Sequence, residues 1–211
     1  MLLAAGRGER MRPLTDTLPK PLLQVRGKAL LQWQLDALAR GGFCDIVINT
    51  AWLGEQIADY FGPAPMAGDH HPLSISYSHE GRDFGGALET AGGIVRALPV
   101  LSDVFWVLAG DVFAPDFAFS LHAVQRFARS TKLAHLWLVP NPEHNAKGDF
   151  GLAPDPMAPG RQLALNQAAI RYTYSTIGLN AHELFGYPLC GFPAGNPQGV
   201  QTRLGEYRRR P

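Results

Sequence analysis

Apolar residues recur along the chain at two spacings, and each spacing predicts a different kind of element. Leu31, Leu35 and Leu38 follow one another at helical intervals, which predicts a helix over 30–40 that ends at Gly41-Gly42. The short apolar runs DIVINT and VFWVLA instead predict buried strands over 45–50 and 104–109. The same criteria predict further strands over 1–5, 73–78, 133–139 and 170–180, and helices over 54–61, 90–98 and 119–130.

Predicted helices alternate with predicted buried strands as far as Pro140. This order predicts an α/β layered sheet whose parallel strands are joined by right-handed crossovers. Beyond Pro140 the chain is rich in Pro, Gly and Asn, and only the segment 170–180 has the apolar content of a strand. The sequence contains no internal repeat and no low-complexity segment.

The composition is that of one globular domain. A chain of 211 residues is long enough to bury a core without a disulfide. Its apolar content of 46% excludes wholesale disorder. No apolar run approaches the roughly 18 residues of a membrane span, and the apolar start of the chain is too short for a signal peptide. We therefore expect a cytoplasmic protein with no membrane partner. Cys44 and Cys190 are expected to be reduced thiols, and no histidine or cysteine spacing predicts zinc.

Charge is distributed unevenly although the net charge is only +1. Residues 1–28 carry a net charge of +4, residues 29–202 a net charge of −6, and residues 203–211 a net charge of +3. A general nucleic-acid binder would spread its basic residues over a broad surface. The basic start of the chain instead indicates a local site for a small anion, and we expect no nucleic-acid partner. Nucleic-acid binding by the arginines of 203–211 is the alternative.

The first chemically informative segment is a Gly-rich stretch after the first predicted strand. Gly6 and Gly8 allow the backbone to approach a ligand closely, and backbone N–H groups in such a loop can hold phosphate oxygens. Arg10 and Lys20 would add positive charge opposite a polyphosphate. The third glycine of the dinucleotide fingerprint and the Gly-Lys-Ser/Thr of a P-loop are both missing. An ordinary turn between strand and helix is the alternative for the Gly-x-Gly alone.

Several segments together resemble the sugar-1-phosphate nucleotidyltransferases, and most of all their bacterial N-acetylmuramate-1-phosphate uridylyltransferase branch. The resemblance is carried by LAAGRGERMRPLT (3–15), PKPL (19–22), IVINTAWLG (46–54), LETAGGI (88–94), GDV (110–112) and GDF (148–150). It implies a Rossmann-like three-layer α/β fold with a mostly parallel mixed central sheet. It also implies a nucleotidyltransferase domain over 1–190, followed by an irregular tail over 191–211 that is first Gly/Pro-rich and then Arg-rich.

The resemblance implies that the substrates are a nucleoside triphosphate and a sugar 1-phosphate, and that the products are a nucleotide sugar and pyrophosphate. The branch implies UTP and N-acetylmuramic acid 1-phosphate, hence UDP-N-acetylmuramate and a role in peptidoglycan recycling. Guanylyl transfer to mannose 1-phosphate and thymidylyl transfer to glucose 1-phosphate are alternatives within the same reaction type. A non-catalytic nucleotide-binding module is an alternative of another class. The oligomeric state stays open.

The family also implies roles for particular residues of the Gly-rich stretch. Arg10 and Lys20 are the expected catalytic residues, because they would stabilise charge on the transferring phosphate and on the leaving pyrophosphate. Glu9 is expected to contact the nucleotide through its backbone. The remaining nucleotide contacts in this stretch are Ala4, Ala5, Gly6 and Gly8.

The other expected site residues follow later strands. Asp111 is the expected Mg²⁺ ligand, since Mg²⁺ accepts carboxylate, water and phosphate oxygens at a strand tip. Ala109, where relatives often place a polar residue, is expected to lie beside the nucleotide. Glu89 and Gly92 are the expected contacts to base and ribose, and N-capping of a helix by Thr90 is the competing interpretation of their segment. Asp149 is the expected sugar contact, with a plain turn aspartate as its alternative.

The chain departs from the family in its last part. Relatives carry a Trp-x-Asp-Val-Gly-Thr motif whose Asp is a second metal ligand, whereas here all four Trp precede residue 140 and no Asp follows Asp155. We therefore expect incomplete C-terminal elements, exposed apolar surface and activity impaired by the missing ligand. We expect the tail to be truncated or frame-shifted, and a tail that evolved for binding is the alternative.

Overall fold

The structure, a computed structural model, describes residues 1–67 and 71–185. The predicted tail over 191–211 and the end of the predicted domain at 190 lie outside these residues. Five α-helices and a six-stranded sheet form the described part of the chain. The strands are β1 (Leu2–Ala4), β2 (Asp45–Thr50), β3 (Ser74–His79), β4 (Val104–Ala109), β5 (Ala134–Val139) and β6 (Thr173–Ala181). The helices are α1 (Leu30–Arg40), α2 (Gly54–Phe61), α3 (Glu80–Phe84), α4 (Glu89–Ala97) and α5 (Leu121–Ala128).

The sheet is mixed but mostly parallel. Its strand order is β3-β2-β1-β4-β6-β5. Strands β3, β2, β1 and β4 run parallel, while β6 runs antiparallel to both β4 and β5. The carboxyl ends of β1 to β5 and the start of β6 therefore meet at one edge of the sheet, the edge at which α/β sheets bind ligands. The predicted α/β class and mostly parallel mixed sheet are confirmed.

Both faces of the sheet are covered, which gives the predicted three layers. Alternate residues of the central strands point to opposite faces, because successive side chains of a strand alternate. Leu2, Ile48 and Leu108 pack in one cluster with residues of α1, α2 and α5. Met1, Val47, Phe105 and Val107 pack in a second cluster with Ile94 and Ala97 of α4.

Shorter elements surround this sheet. Two-residue strands pair as Gln24–Val25 with Lys28–Ala29 and as Met66–Ala67 with His71–Pro72, and Gly151–Pro154 pairs with Gln162–Leu165. Short 3-10 helices span Glu9–Met11, Leu14–Asp16, Lys20–Leu22, Leu98–Val100, Glu143–Asn145 and His182–Leu184. Within the described ranges, no helix is both long enough and apolar enough to cross a membrane.

Several predicted boundaries are confirmed and others are wrong. The elements predicted over 30–40, 45–50, 54–61 and 104–109 begin and end where predicted. The helix predicted over 119–130 is two residues shorter at each end. It begins at Leu121 because the side chain of Ser120 accepts from the backbone N–H of Ala123 and caps the helix. The expectation of a single strand after Pro140 is also wrong, since the hairpin of 151–165 was missed.

N-capping by Thr90 is wrong as well. Helix α4 begins at Glu89, and the residue before it, Leu88, makes no side-chain cap. The backbone N–H of Leu88 is bonded instead by the buried carboxylate of Glu80, at 2.7 Å. Thr90 therefore lies one residue inside the helix, on its exposed side.

Candidate functional site

The structure brings two of the predicted site segments together at the carboxyl edge of the sheet. The Gly-rich stretch leaves the end of β1, and Asp111 follows the end of the neighbouring strand β4. The side chain of Lys20 reaches across, so that its Nζ lies 2.5 Å from Oδ2 of Asp111. Both side chains are about one-third exposed. A cation and a carboxylate thus share one accessible place beside the loop predicted to hold phosphates.

Close packing holds the Gly-rich stretch against Thr15 and Lys20. Gly8 adopts a φ of 69°, a left-handed conformation that L side chains rarely take. A Cβ at Gly8 would lie 3.0 Å from Cγ2 of Thr15 and 3.3 Å from Cβ of Lys20. The carbonyl of Gly8 accepts from the backbone N–H of Met11 at 3.0 Å and from the hydroxyl of Thr15 at 2.8 Å. Glycine at position 8 is therefore required by both conformation and space.

Arg7, which the sequence did not single out, supports this loop. Its guanidinium lies 3.6 Å from the ring centre of Trp52, a cation–π contact. The same group donates to the carbonyl of Thr15 at 2.7 Å and to Asp16 at 2.8 Å. The hydrogen bond from Arg7 is the main reason that the pKa of Asp16 lies below its usual value. Because its guanidinium already contacts Trp52, Thr15 and Asp16, Arg7 supports the conformation of the loop.

Arg10 and Glu9 lie in the short 3-10 helix that follows Gly8. Both side chains are exposed, and among the described residues neither forms a hydrogen bond or an ion pair. Gly6 is also exposed, with no atom of the described chain within 4 Å of where its Cβ would be. Ala4 and Ala5 are buried, so any contact they make with a ligand goes through their backbone. Gly6, Glu9 and Arg10 are therefore accessible to a ligand, whereas Ala4 and Ala5 are not accessible through their side chains.

The turn that carries Asp111 is held from α1. Gln34, only 4% exposed, donates from Nε2 to the carbonyls of Ala109 at 2.6 Å and Val112 at 2.8 Å. The backbone N–H of Gly110 donates to the carbonyl of Leu3 at 2.7 Å. These bonds hold the residues on both sides of Asp111 in place, through Gln34 of α1 and Leu3 of β1. The carbonyl of Ala109 is already bonded to Gln34, so its methyl group is the part of Ala109 left to contact a ligand.

Asp111 fits a magnesium ion bound together with substrate phosphates. Its Oδ1 accepts no hydrogen bond from the described residues, while its Oδ2 accepts from Lys20. Mg²⁺ usually keeps several waters and takes one or two carboxylates plus phosphate oxygens. Over residues 1–67 and 71–185, no group of three His, Cys, Asp or Glu residues lies close enough to hold a metal ion without a ligand. The residues present therefore suit an ion that arrives with a triphosphate.

The segment over 88–93 is connected to the end of β1 by hydrogen bonds through the side chains of Asn49 and Glu80. Glu89 is exposed and has a φ of 59°, unusual for a residue with a side chain, while Gly92 is half-buried. Gly93 is buried against Glu80, and a Cβ at this position would lie 2.5 Å from Oε1 of Glu80. Glu80 itself is fully buried. The sequence did not point to Glu80, although an acid two residues after the strand predicted over 73–78 is a detectable signal.

Asp149 lies on the β5–β6 side of the same edge, next to the start of β6. Its carboxylate accepts from Nδ2 of Asn145 at 3.1 and 3.2 Å and from the backbone N–H of Tyr174 at 2.8 Å. Arg171 donates to its backbone carbonyl. Burial raises the pKa of the Tyr174 phenol to about 12. The structure gives Asp149 a framework role and does not bring it into contact with Lys20 or Asp111.

A cavity of about 530 Å³ opens at the ends of β2 and β3, beyond Trp52. None of the predicted site residues lines it. Its lining residues are Thr50, Ala51, Leu53, Gly54, Glu55, Gln56, His79 and Arg82.

The chain is similar to known proteins of one family. Residues 1–156 match the family model described as nucleotidyl transferase. Over 212 aligned residues the chain is 47% identical to the N-acetylmuramate alpha-1-phosphate uridylyltransferase of Neisseria meningitidis serogroup B, which spans 99% of this chain and 85% of that protein.

Solved structures share the fold at low sequence identity. A UDP-glucose pyrophosphorylase from Acinetobacter baumannii superposes with a TM-score of 0.69 at 16% identity, over 97% of this chain and 81% of that one. A UTP-bound structure of that enzyme gives a TM-score of 0.67 at 16% identity, over 97% and 81% of the two chains. At such identities the likeness establishes the fold alone.

Proposed function

The chain belongs to the nucleotidyl transferase family, and on that premise we propose that it transfers a uridylyl group from UTP to N-acetylmuramic acid 1-phosphate. The observation that carries the proposal is the pairing of Lys20 with Asp111 beside an open Gly-rich loop. The choice of UTP and of the sugar phosphate is supported by the 47% identity to the meningococcal uridylyltransferase. The proposed domain extends over 1–190, and its place of action is the cytoplasm.

In the proposed reaction a phosphate oxygen of the sugar 1-phosphate attacks the α-phosphorus of UTP. A new P–O bond forms, the bond between the α-phosphorus and the bridging oxygen to the β-phosphate breaks, and pyrophosphate leaves with that oxygen. The product is UDP-N-acetylmuramate, which can re-enter peptidoglycan synthesis. Because both reactants are anions, the protein must supply positive charge and hydrogen-bond donors where charge accumulates.

The chain's own residues divide this work. Backbone N–H groups of Gly6 and Gly8 hold phosphate oxygens at the end of β1, and Arg10 stabilises the charge on the α-phosphate and the leaving pyrophosphate. Lys20 supplies a second cation from the opposite side of the loop. When bound at Asp111, Mg²⁺ neutralises phosphate charge and orients the triphosphate.

The remaining residues are assigned to binding the nucleotide and the sugar. Glu9 contacts the triphosphate through its backbone, and Ala109 borders the nucleotide with its methyl group. Glu89 and Gly92 contact base and ribose at the start of α4. Asp149 positions the sugar, either directly or through the turn that it holds together.

The test is a turnover assay on the purified chain with Mg²⁺. Four triphosphates (UTP, GTP, dTTP and CTP) are each combined with N-acetylmuramic acid, glucose and mannose 1-phosphates, and pyrophosphate release is measured. The proposal predicts that UTP with N-acetylmuramic acid 1-phosphate gives the highest kcat/KM. A higher value for another pair would overturn the substrate assignment, and no turnover with UTP binding intact would favour a binding module.

A further inference from the structure

A buried chain of three hydrogen bonds joins the two segments assigned to the nucleotide. The backbone N–H of Ala4 donates to Oδ1 of Asn49 at 2.8 Å. Nδ2 of Asn49 donates to Oε1 of Glu80 at 2.7 Å. Oε2 of Glu80 accepts from the backbone N–H of Leu88, also at 2.7 Å. Asn49 is 2% exposed and Glu80 is fully buried, so water does not replace these bonds.

The residue types at positions 49 and 80 are dictated by the two groups at the ends of this hydrogen-bond chain, the backbone N–H groups of Ala4 and Leu88. Both ends are backbone N–H groups, which only donate. Facing Ala4, Asn49 must present its carbonyl oxygen, which leaves its NH₂ group to face position 80. Position 80 must therefore accept twice, from Asn49 and from Leu88. Of side chains this long, a glutamate accepts with both oxygens, whereas a glutamine would place one donor against another.

No cation compensates the buried carboxylate within the described part of the chain, where Glu80 takes part in no ion pair. Burying an unpaired carboxylate is costly, and two hydrogen bonds repay only part of that cost. The stability of the fold does not account for a carboxylate at this position, so its role is sought in the two groups that it joins. What it positions is visible at its two ends.

Each end of the hydrogen-bond chain leads directly into a candidate nucleotide contact. Ala4 is the last residue of β1 and is followed by the Gly-rich phosphate loop. Leu88 precedes Glu89, whose φ of 59° is held at the start of α4. Because strained backbone persists only where its surroundings enforce it, the bond from Leu88 to Glu80 is well placed to hold this turn.

Gly93 shows that the space around this chain is filled. A Cβ at Gly93 would lie 2.5 Å from Oε1 of Glu80 and 2.7 Å from Nδ2 of Asn49. Any side chain there would separate the two groups. The second glycine of the LETAGG segment thus has a structural reason that concerns the hydrogen-bond chain and not a direct ligand contact.

We propose that Asn49 and Glu80 are positioning residues that set the spacing between the phosphate loop and the base-binding turn, and hence the affinity for a whole nucleoside triphosphate. The inference rests on the proposed function, because it takes the two segments as the phosphate and base ends of one site. A nucleotide touches both ends at once, so a change in their spacing weakens its binding even when each end is intact.

The test exchanges the two side-chain chemistries. Asn49→Asp places two carboxylates face to face, and Glu80→Gln places an NH₂ group against a donor. The double variant N49D/E80Q restores every bond: the aspartate accepts from Ala4 and from the glutamine, whose carbonyl accepts from Leu88. Both the net charge and the side-chain lengths are unchanged in the double variant.

Calorimetric binding of UTP is measured for the wild type, both single variants and the double variant, together with inhibition by inorganic tripolyphosphate. Each single variant should bind UTP about tenfold more weakly or worse, the effect of one mismatched buried hydrogen bond. The double variant should return to within about threefold of the wild type, since coupled neighbours are non-additive. Tripolyphosphate, which reaches only the loop, should inhibit all four proteins with constants that agree within about threefold.

Single variants that bind UTP like the wild type would overturn the inference, and so would a double variant no better than the single ones. If the single variants do not fold, the double variant must fold and bind UTP, and its failure to do so also overturns the inference. Equal weakening of UTP and tripolyphosphate would reduce the pair to a general structural role. Failure of the proposed function is seen separately, as absent turnover of N-acetylmuramic acid 1-phosphate by a wild type that binds UTP. Where the wild type prefers another triphosphate, that nucleotide replaces UTP.

Discussion

Nζ of Lys20 lies 2.5 Å from Oδ2 of Asp111, although the two residues are 91 positions apart in the sequence. The contact joins the loop after β1 to the turn after β4, the two strands whose carboxyl ends are adjacent in the sheet. It leaves the second carboxylate oxygen of Asp111 open to a ligand. The strand order thus brings together the loop proposed to bind phosphate, a cation and a candidate metal ligand.

The Asp111→Asn substitution should lower kcat/KM by about 10²–10³-fold, in line with the loss of one electrostatic contribution to a charged transition state. The side-chain volume is conserved, so the melting temperature should stay near that of the wild type. Initial rates over a Mg²⁺ titration provide the measurement. A D111N variant that keeps the rate and Mg²⁺ dependence of the wild type would remove Asp111 from the metal site.

Arg10→Ala should lose activity without losing stability. Its side chain is exposed and makes no contact within the described residues, so the fold does not depend on it. We expect kcat to fall by about 10²-fold or more, because the guanidinium stabilises charge that develops during transfer. The matched control is Arg129→Ala, another exposed arginine, at the end of α5 on the opposite edge of the sheet. Equal kcat values for the two variants would exclude Arg10 from catalysis.

Gln34→Leu should raise the Mg²⁺ concentration needed for half-maximal activity. The substitution removes both bonds that hold the carbonyls of Ala109 and Val112, and leaves these acceptors without their donor. Loss of such buried hydrogen bonds costs about 1–3 kcal/mol of stability. Thermal denaturation and the Mg²⁺ titration check the two effects together. Gln32→Leu, on the same helix, is the control, and a Mg²⁺ requirement that rises equally in both variants would contradict the role given to Gln34.

Asp155 should contribute to the acid sensitivity of the fold. Its Oδ2 lies 2.9 Å from Nζ of Lys132, and hydrogen bonds from Lys132 and from the backbone of Met157 lower the pKa of Asp155. A carboxyl group with a lowered pKa stabilises the fold above its unfolded pKa of about 3.9, and this stabilisation is lost as the pH falls through the folded value. Urea unfolding should therefore show Asp155→Asn to be less stable than the wild type at pH 7. The two free energies of unfolding should converge as the pH falls below the folded pKa of Asp155. A constant difference at all pH values would contradict this account.

The sequence predicts those elements that are marked by a regular spacing of apolar residues or by a continuous apolar run. Helix α1 has Leu31, Leu35 and Leu38 on one side, and β4 is a continuous apolar run, so their bounds follow from spacing. The hairpin formed by Gly151–Pro154 and Gln162–Leu165 was missed because its connection is rich in Pro and Gly and its strands are four residues each. Pairing between strands, not local preference, defines such an element.

The same distinction applies to the site. Arg10, Lys20 and Asp111 carry charge within recognisable motifs. Gln34 and Glu80 lie outside the motifs, and Asn49, which lies within IVINTAWLG, bonds partners that the motif does not predict. Their one signal in the sequence is polarity in an apolar setting: Asn49 interrupts a buried strand, and Gln34 lies next to Leu35 on the apolar side of α1. Buried polar groups need partners, so each of them predicts a bond without saying to what.

The central claim is that residues at the end of β1 and β4 catalyse uridylyl transfer to a sugar 1-phosphate. The most direct measurement is incubation of the purified chain with UTP, N-acetylmuramic acid 1-phosphate and Mg²⁺, with the products identified by mass spectrometry and pyrophosphate quantified. The account predicts equal amounts of UDP-N-acetylmuramate and pyrophosphate, both dependent on Mg²⁺ and both formed about 10²-fold more slowly or worse by the Arg10→Ala and Asp111→Asn variants. Formation of the nucleotide sugar at undiminished rate by either variant would contradict it.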